Sequence, residues 1–337
     1  MSGTDSPQEV AMPGKTDFAA LADPYRSELL AYCYRMLGSV DDAEDQVQET
    51  MLRAWRSYEE FEGRSSLRTW LYRIATNSCL RALETRGKRP LPSGLGGPAA
   101  DPDEAPPAAS TDIAWLQPVP DQLVTSGPGD PATIVTARAS MRLALIAALQ
   151  YLPGRQRAVL ILRDVLGWRA GEVADLLGVS TAAANSVLQR ARAQLAEVSP
   201  AEDDLREPVS PKQRALLDRY AAAFESADIT ALTDLLHEDA TFEMPPQPFW
   251  FAGRERISRF LAARVLTSPG RFALVPTAAN GQPAFVTYMR AGDGLLRAHG
   301  IQVLTISAGR VGRVVSFNDP ALVARFGLAD TLAARSS

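Results

Sequence analysis

The residues best suited to a chemical task are arginines, which cluster in two stretches of this 337-residue chain. Between Gly63 and Pro90, seven cationic side chains stand against one acid, a net charge of +6. Between Arg138 and Glu197, eight arginines stand against four acids, a net charge of +4. Cations spaced along helices bind phosphate oxygens, so both stretches are predicted to contact a nucleic acid.

An acidic stretch precedes the first basic one. Residues Asp23 to Glu62 carry ten acids and four arginines, a net charge of −6, in a chain whose overall net charge is −4. An acidic half beside a basic half favours two partners, a basic protein surface and a nucleic acid. Two ordinary solvated helix faces would give the same charges, and charge alone leaves that alternative open.

The stretch GEVADLLGVSTAAANSVLQRARAQL, residues 171–195, has the spacing of a helix, a tight turn and a second helix. Ala174 is small where the helices cross, Gly178 suits a left-handed turn, and Ser180 can cap the second helix. An inward apolar stripe follows at helical spacing: Ala184, Leu188, Ala191 and Leu195. The outward positions carry residue types that read DNA grooves: Thr181, Asn185, Ser186, Gln189 and Arg192. A helical hairpin that packs on another element is the alternative.

The sequence offers few residues for disulfide bonds or metal sites and no segment suited to a membrane span. The two histidines and two cysteines exclude a disulfide framework, a cysteine-rich metal site and a histidine-based zinc site, so no metal or cofactor is expected. Cys33 and Cys79 are predicted to be small core residues. No apolar run approaches the roughly 20 residues of a membrane span. The N-terminus lacks a secretion signal, so the protein is expected to be cytoplasmic, with a disordered leader over residues 1–16.

The elements that must position these residues fall into a multidomain fold. Two all-α domains, residues 17–90 and 138–198, are predicted to be joined by a flexible linker, residues 91–137. This linker has nine prolines and six acids but no Lys or Arg, and Trp115 and Leu116 form an apolar island expected to dock on a neighbour. A second linker, residues 199–210, leads to an α+β domain, residues 211–330, in which helices cover one face of a sheet of consecutive antiparallel strands.

Three motifs in this order resemble those of extracytoplasmic-function (ECF) sigma factors of the sigma-70 family. DAEDQVQETMLRAW, residues 42–55, resembles the helix that binds core RNA polymerase. Residues 61–89 resemble the loop and helix of region 2 that open and read the minus-ten promoter element, and residues 151–195 resemble the region 4 domain that reads the minus-thirty-five element. The resemblance implies a sigma factor that binds polymerase at its clamp helices and flap, recognises and melts promoter DNA, and threads its acidic linker through the polymerase channel.

The same resemblance assigns site residues. Those expected to contact polymerase are Asp45, Gln48, Glu49, Leu52 and Trp55. Those expected to contact DNA from region 2 are Phe61, Arg68, Trp70, Arg73, Asn77, Arg81, Arg86, Lys88 and Arg89, with core packing as the alternative for Trp70. Those expected from region 4 are Thr181, Asn185, Ser186, Gln189, Arg190 and Arg192. Many family members carry charges where Thr181, Asn185 and Val187 stand here, so recognition is expected to depend on DNA shape and on the two arginines.

The C-terminal block resembles a SnoaL-like (NTF2-like) cone, an extension found in the actinobacterial sigma factor G and J subgroup. The resemblance implies that the cone modulates the sigma domains in cis, with a small ligand in its pocket as a further partner. Met244, Phe249, Trp250 and Phe251 are expected to line that pocket, a docking surface or simply the core.

The alternative is a helix-turn-helix regulator that binds DNA without polymerase and is fused to a ligand-binding or ketosteroid-isomerase-like cone. Its catalytic groups would come from Tyr220, His237, Asp239 and Glu243. This alternative leaves the first helical block unexplained, and fold analogy alone does not establish chemistry, so no enzymatic activity is expected.

Overall fold

A computed structural model of the chain describes residues 15–61, 63, 65–124, 139–197 and 210–332. The predicted leader lies outside these ranges apart from its last two residues, as do residues 125–137 of the acidic linker and 199–209 of the second linker. No helix in the described part of the chain is long and apolar enough to cross a membrane.

The first helical unit is built from four α-helices. They are α1 Lys15–Ala22, α2 Arg26–Leu37, α3 Val40–Arg56 and α4 Leu67–Thr85. Gly38 ends α2 in the left-handed region, and the Ser39 hydroxyl accepts the Asp42 N–H at the start of α3. Cys33 and Cys79 are fully buried in the core of this unit, which confirms their predicted place.

The described part of the acidic linker, residues 91–124, alternates exposed stretches with buried contacts and includes the short helix α5, Asp121–Val124. Leu116 and Val119 are fully buried between the first helical unit and the C-terminal domain. The linker backbone also donates to and accepts from the C-terminal domain at Gly96, Ala99 and Ser110. The apolar island at residue 116 therefore docks as predicted, and these contacts hold a segment whose composition alone suggested a flexible tether.

The second helical unit contains the predicted helix-turn-helix. Its helices are α6 Leu143–Leu149, α7 Gly154–Leu160 with a π-helical extension Ile161–Val165, α8 Ala170–Leu177 and α9 Thr181–Glu197. Gly178 ends α8 with a φ of 65°, and the Ser180 hydroxyl accepts the Ala183 N–H at the start of α9. The α9 stripe is buried at residues 184, 188 and 191 and half-buried at residue 195, which leaves the opposite face of α9 exposed.

The C-terminal unit is an α+β domain, which we call the cone. Its helices are α10 Pro211–Glu225, α11 Ile229–Leu235, α12 Arg254–Phe260 with a π-helical extension Leu261–Val265, and α13 Ala321–Arg325. Its strands are β1 Leu236–Glu243, β2 Trp250–Ala252, β3 Phe272–Ala279, β4 Gln282–Arg290, β5 Leu296–Ser307, β6 Arg310–Phe317 and β7 Thr331–Leu332.

The sheet of the cone has the strand order β2-β1-β6-β5-β4-β3, with β7 paired to β5. Strands β3 to β6 form the predicted run of antiparallel neighbours. Strand β1 differs from that pattern, because it leaves the α10–α11 helix pair and runs parallel to β6 at the other side of the sheet. No turn connects β1 to β6 directly, so the local sequence carries no signal of this pairing.

The three units pack together around shared apolar surface. One hydrophobic cluster includes Leu37 of the first helical unit, Leu160 of the second and Val286 of the cone. The rings of Tyr72 and Trp168 lie 5.1 Å apart across the junction of the two helical units. We call this packed state of the two helical units, the linker and the cone the closed arrangement.

Candidate polymerase and promoter surfaces

The residues predicted to contact polymerase all lie on α3, and four of them form one exposed stripe. Their spacing places Asp45, Gln48, Leu52 and Trp55 on the same face of the helix. Leu52 and Trp55 are 40% and 46% exposed, which is unusual for such large apolar side chains. Glu49 lies beside the stripe, half-buried, with its carboxylate 2.5 Å from the Arg53 guanidinium. The stripe therefore combines an acidic start with an apolar end.

The first turn of α3 is already engaged within the molecule. Arg325, at the end of α13 in the cone, forms ion pairs with Asp41 at 2.6 Å and with Glu44. Asp42 pairs with Arg89 at 2.5 Å and with Arg86. The acidic charge at this end of the helix is thus balanced by arginines of the same chain, while the stripe beyond it remains exposed.

The predicted DNA-contacting residues on α4 and on the segments beside it divide into three groups. Arg73, Asn77 and Arg81 are exposed and spaced four residues apart, so they share one face. Trp70 is half-buried, with its ring 4.8 Å from that of Phe61, and the pair packs against other aromatic rings at the start of the helix. The structure therefore places Trp70 in a packed aromatic cluster at the surface.

The third group is bound to other parts of the chain. Arg68 donates two hydrogen bonds of 2.9 Å to Glu28, and its guanidinium lies 5.8 Å from the centre of the Trp168 ring. Lys88 lies 5.0 Å from the ring of Tyr151. Arg86 and Arg89 hold Asp42, as described above. In the closed arrangement these four cations stabilise contacts within the protein.

The predicted residues of the second helical unit lie on α9, and all six are exposed. Thr181, Asn185 and Gln189 follow one another at intervals of four and share a face. Arg192 lies on this face by helical spacing and donates to both carboxylate oxygens of Asp164 at 2.7 and 2.9 Å, whereas Arg190 lies about 100° around the helix from Gln189. A polar helix face of this size fits the major groove of DNA.

The two candidate DNA surfaces belong to units in direct contact. The Arg73 guanidinium reaches the main-chain oxygen of Asp175 on α8 at 3.5 Å. Trp168, which is 6% exposed, packs against Tyr72 of α4. Helix α4 is therefore covered on one side by the unit that carries the helix-turn-helix.

The contact that joins all the units is made by Asn280, which the sequence analysis did not select. Asn280 lies in the tight turn between β3 and β4, with a φ of 57°, and is fully buried. Its amide nitrogen donates to the Tyr34 hydroxyl at 2.8 Å and to the Met141 carbonyl at 2.9 Å, and its amide oxygen accepts the Val119 N–H at 3.0 Å. An Asn-Gly pair between two strands was the available signal for the turn, although not for these partners.

The groups proposed for catalysis in the alternative function do not meet in the cone. Asp239 is exposed and His237 is half-exposed on β1. Glu243 is buried, where it accepts from Arg313 at 2.8 Å and from the Ser93 N–H of the linker at 2.9 Å. The Tyr220 hydroxyl donates to Gln302 at 3.1 Å, and burial raises the pKa of Tyr220. The described lining of the cone cavity contains none of these four side chains and no carboxylate.

The four residues expected to line a pocket or a docking surface have different roles. Met244 lines the cone cavity. The rings of Phe249 and Phe251 pack against Phe260, 5.8 and 4.7 Å away. The Trp250 indole donates to the Gly96 carbonyl of the linker at 2.9 Å, so it belongs to the docking surface. Within the described residues, no group of three or more His, Cys, Asp or Glu side chains is placed to hold a metal ion.

Comparison with known proteins defines the class of each unit. The family model for sigma-70 region 2 matches residues 21–89, and the model for sigma-70 region 4 matches residues 142–195. The model for the SnoaL-like domain matches residues 217–314. The class is thus a two-unit sigma-70 factor with a SnoaL-like extension.

Relatives that match most of the chain show to which group of sigma-70 factors it belongs. The ECF RNA polymerase sigma factor SigG of Mycobacterium tuberculosis is 53% identical over 330 residues, which cover 97% of this chain and 88% of the relative. SigJ of the same organism is 29% identical over 311 residues, 88% of each chain. The crystal structure of SigJ has a TM-score of 0.59, with 24% identity, and the match covers 94% of this chain and all of that one. The chain belongs to the ECF RNA polymerase sigma factors, and the regulator without polymerase is not favoured.

Proposed function

We propose that this sigma factor binds core RNA polymerase through the exposed α3 stripe and contacts promoter DNA through α4 and α9. The observation that carries the polymerase surface is the pair of exposed apolar side chains, Leu52 and Trp55, in line with Asp45 and Gln48. Trp is among the residue types that are most frequent in the energetic centres of protein interfaces, and Leu52 supplies apolar surface beside it.

The matched variants Leu52→Ala and Leu295→Ala test this surface. Both remove the same side chain at similar exposure, 40% and 42%, but Leu295 lies on the cone. We expect Leu52→Ala to weaken competition with a labelled sigma factor for core polymerase by about tenfold, the effect of an interface residue worth roughly 1.4 kcal/mol. Leu295→Ala is expected to bind like the parent protein. Equal affinities of the two variants would place the polymerase surface elsewhere.

The closed arrangement is incompatible with simultaneous contact to both promoter elements. By their names, the elements lie about 25 base pairs apart, roughly 85 Å of duplex at 3.4 Å per base pair. The units that carry α4 and α9 touch each other at Tyr72 and Trp168. We therefore propose that promoter binding requires the two helical units to separate.

The cone is positioned to oppose that separation, which supports regulation in cis. Asn280 binds the first helical unit, the linker and the second helical unit at once, and Arg325 holds the first turn of α3. In the linker, Ser93 and Gly96 are bound to the cone, and these bonds would have to break before the segment could enter the polymerase channel. The described lining of the cone cavity holds none of the four groups considered for catalysis, so we propose that the cone acts by binding.

Transcription in vitro tests the regulatory role directly. Chains that end near residue 208 lack the cone, and we expect them to differ from full-length protein in promoter-specific activity with core polymerase. Should truncated and full-length chains transcribe every tested promoter equally, the cone has no regulatory role in cis. A carbonyl substrate that is turned over by the full chain, with loss on Asp239→Asn, would instead support an enzyme.

A further inference from the structure

The cone contains a cavity of about 180 Å³ whose lining is both apolar and cationic. The lining includes the rings of Phe224, Phe242 and Phe272. It also includes Arg264 and Arg271, and the Arg271 guanidinium lies 5.7 Å from the centre of the Phe272 ring. An apolar cavity of about 150 Å³ holds a benzene molecule, so this volume suits a compact ligand of about that size.

The two arginines give the cavity a positive charge that nearby acids do not balance. The Arg271 guanidinium donates to the Thr267 hydroxyl at 2.7 Å. The Arg264 guanidinium donates to the main-chain oxygen of Asp103, while the carboxylate of Asp103 pairs with Arg259. Within the described residues, neither Arg264 nor Arg271 has a carboxylate side chain at salt-bridge distance. Guanidinium groups in this state bind carboxylates through paired, charge-assisted hydrogen bonds.

His299 is a third polar group in the lining of the cavity. Its ring lines the cavity, 5.6 Å from the ring of Phe272 in an edge-on contact. Burial and then the charge of Arg271 lower the pKa of His299. The imidazole is therefore neutral near pH 7 and can donate a hydrogen bond to an anion without adding a proton.

We propose that the cone cavity binds a small monocarboxylate with a compact apolar body, of the size of benzoate. The carboxylate of the ligand contacts Arg271, and the apolar body of the ligand packs against Phe242 and Phe272. A cationic ligand is disfavoured by two arginines, and a carbonyl substrate that needs a general base finds no carboxylate in the described lining. The inference goes beyond the proposed function, because this binding requires neither polymerase nor promoter.

The test uses the full chain and benzoate, with benzamide as the neutral ligand of the same shape. We expect calorimetry to show saturable benzoate binding and an affinity for benzamide that is lower by at least about tenfold, since benzamide lacks the charge. Benzoate should raise the NMR-measured pKa of His299. Because His237 lies outside the described lining of the cavity, benzoate should leave the NMR chemical shifts of the His237 ring unchanged at fixed pH.

Variants of Arg271 distinguish the effect of its charge on binding from an effect on folding. Arg271→Gln should weaken benzoate binding by about tenfold or more, and Arg271→Lys, which keeps the charge but loses the paired hydrogen bonds, should weaken it less than Arg271→Gln does. Arg219→Gln on the exposed face of α10 is the matched control and should bind as the parent does. Equal affinities for benzoate and benzamide, or no saturation by tens of millimolar benzoate, would overturn the proposal. If Arg271→Gln lowers the melting temperature, a loss of binding in that variant could come from unfolding. The ratio of benzoate affinity to benzamide affinity in the parent protein then tests the proposal.

Discussion

Replacing Asn280 by glycine should open the closed arrangement while leaving the turn intact. Glycine tolerates the positive φ of this position, so Asn280→Gly removes the side chain without straining the backbone. All three bonds of that side chain go to partners outside the cone. The variant therefore weakens the closed arrangement much more than the cone itself.

The expected magnitude follows from the partners that lose their bonds. The Val119 N–H and the Met141 carbonyl are left in a buried place, and each unsatisfied group costs about 1–3 kcal/mol. The lower end of this range for the two groups together, about 2 kcal/mol, shifts the balance between closed and open forms about 30-fold. If open protein is the form that binds polymerase, the apparent affinity rises by up to this factor.

Competition for core polymerase measures the binding of the open form, and small-angle X-ray scattering measures the change in molecular size on opening. Asn280→Gly should compete more strongly than the parent and show a larger radius of gyration. Ala227→Gly is the matched control, since Ala227 is half-buried in a turn of the cone with a φ of 56° and the change adds similar backbone freedom. An Asn280→Gly variant that matches Ala227→Gly in both measurements would falsify the role of Asn280 in holding the units together.

Three further predictions follow from single side chains. Arg325→Gln removes two half-exposed ion pairs worth roughly 0.2–1 kcal/mol each, so polymerase competition should strengthen a few-fold at low salt and be unchanged at about 1 M salt. The pKa of His299 is lowered in the folded state by burial and then by Arg271, so the unfolded chain binds the proton more readily. The free energy of unfolding should therefore fall as pH decreases below about 6.5, and chemical denaturation of His299→Gln should show a flatter pH dependence there. Cys33 and Cys79 are fully buried, and burial raises the pKa of the Cys79 thiol, so a thiol reagent should label neither residue until the first helical unit unfolds, as followed by mass spectrometry.

Features encoded within one helix or one turn could be predicted from the sequence. The helix-turn-helix follows from Gly178, Ser180 and an apolar repeat, because caps and helical periodicity act over a few residues. The α3 residues were selected by the resemblance to ECF sigma factors, and helical spacing then explains why four of them share one exposed face. Each of these two surfaces lies on a single helix, so neither required knowledge of the packing between units.

Contacts between distant segments could not be predicted in this way. Asn280 and Tyr34 are 246 residues apart, and neither carries a periodic signal that points to the other. The linker was equally difficult, because polar, proline-rich composition fits a free spacer and also a segment whose backbone bonds to the edge of a sheet. Arg68 shows the same limit, since a cation suited to phosphate binds Glu28 in the closed arrangement.

The hydrophobic cluster shared by Leu37, Leu160 and Val286 makes the closed arrangement sensitive to heat and cold. Apolar surface that becomes wet on separation raises the heat capacity, so the closed form has an optimum temperature and loosens on either side of it. Temperature alone should therefore change the balance between the closed and open forms, without a bound ligand or a covalent change.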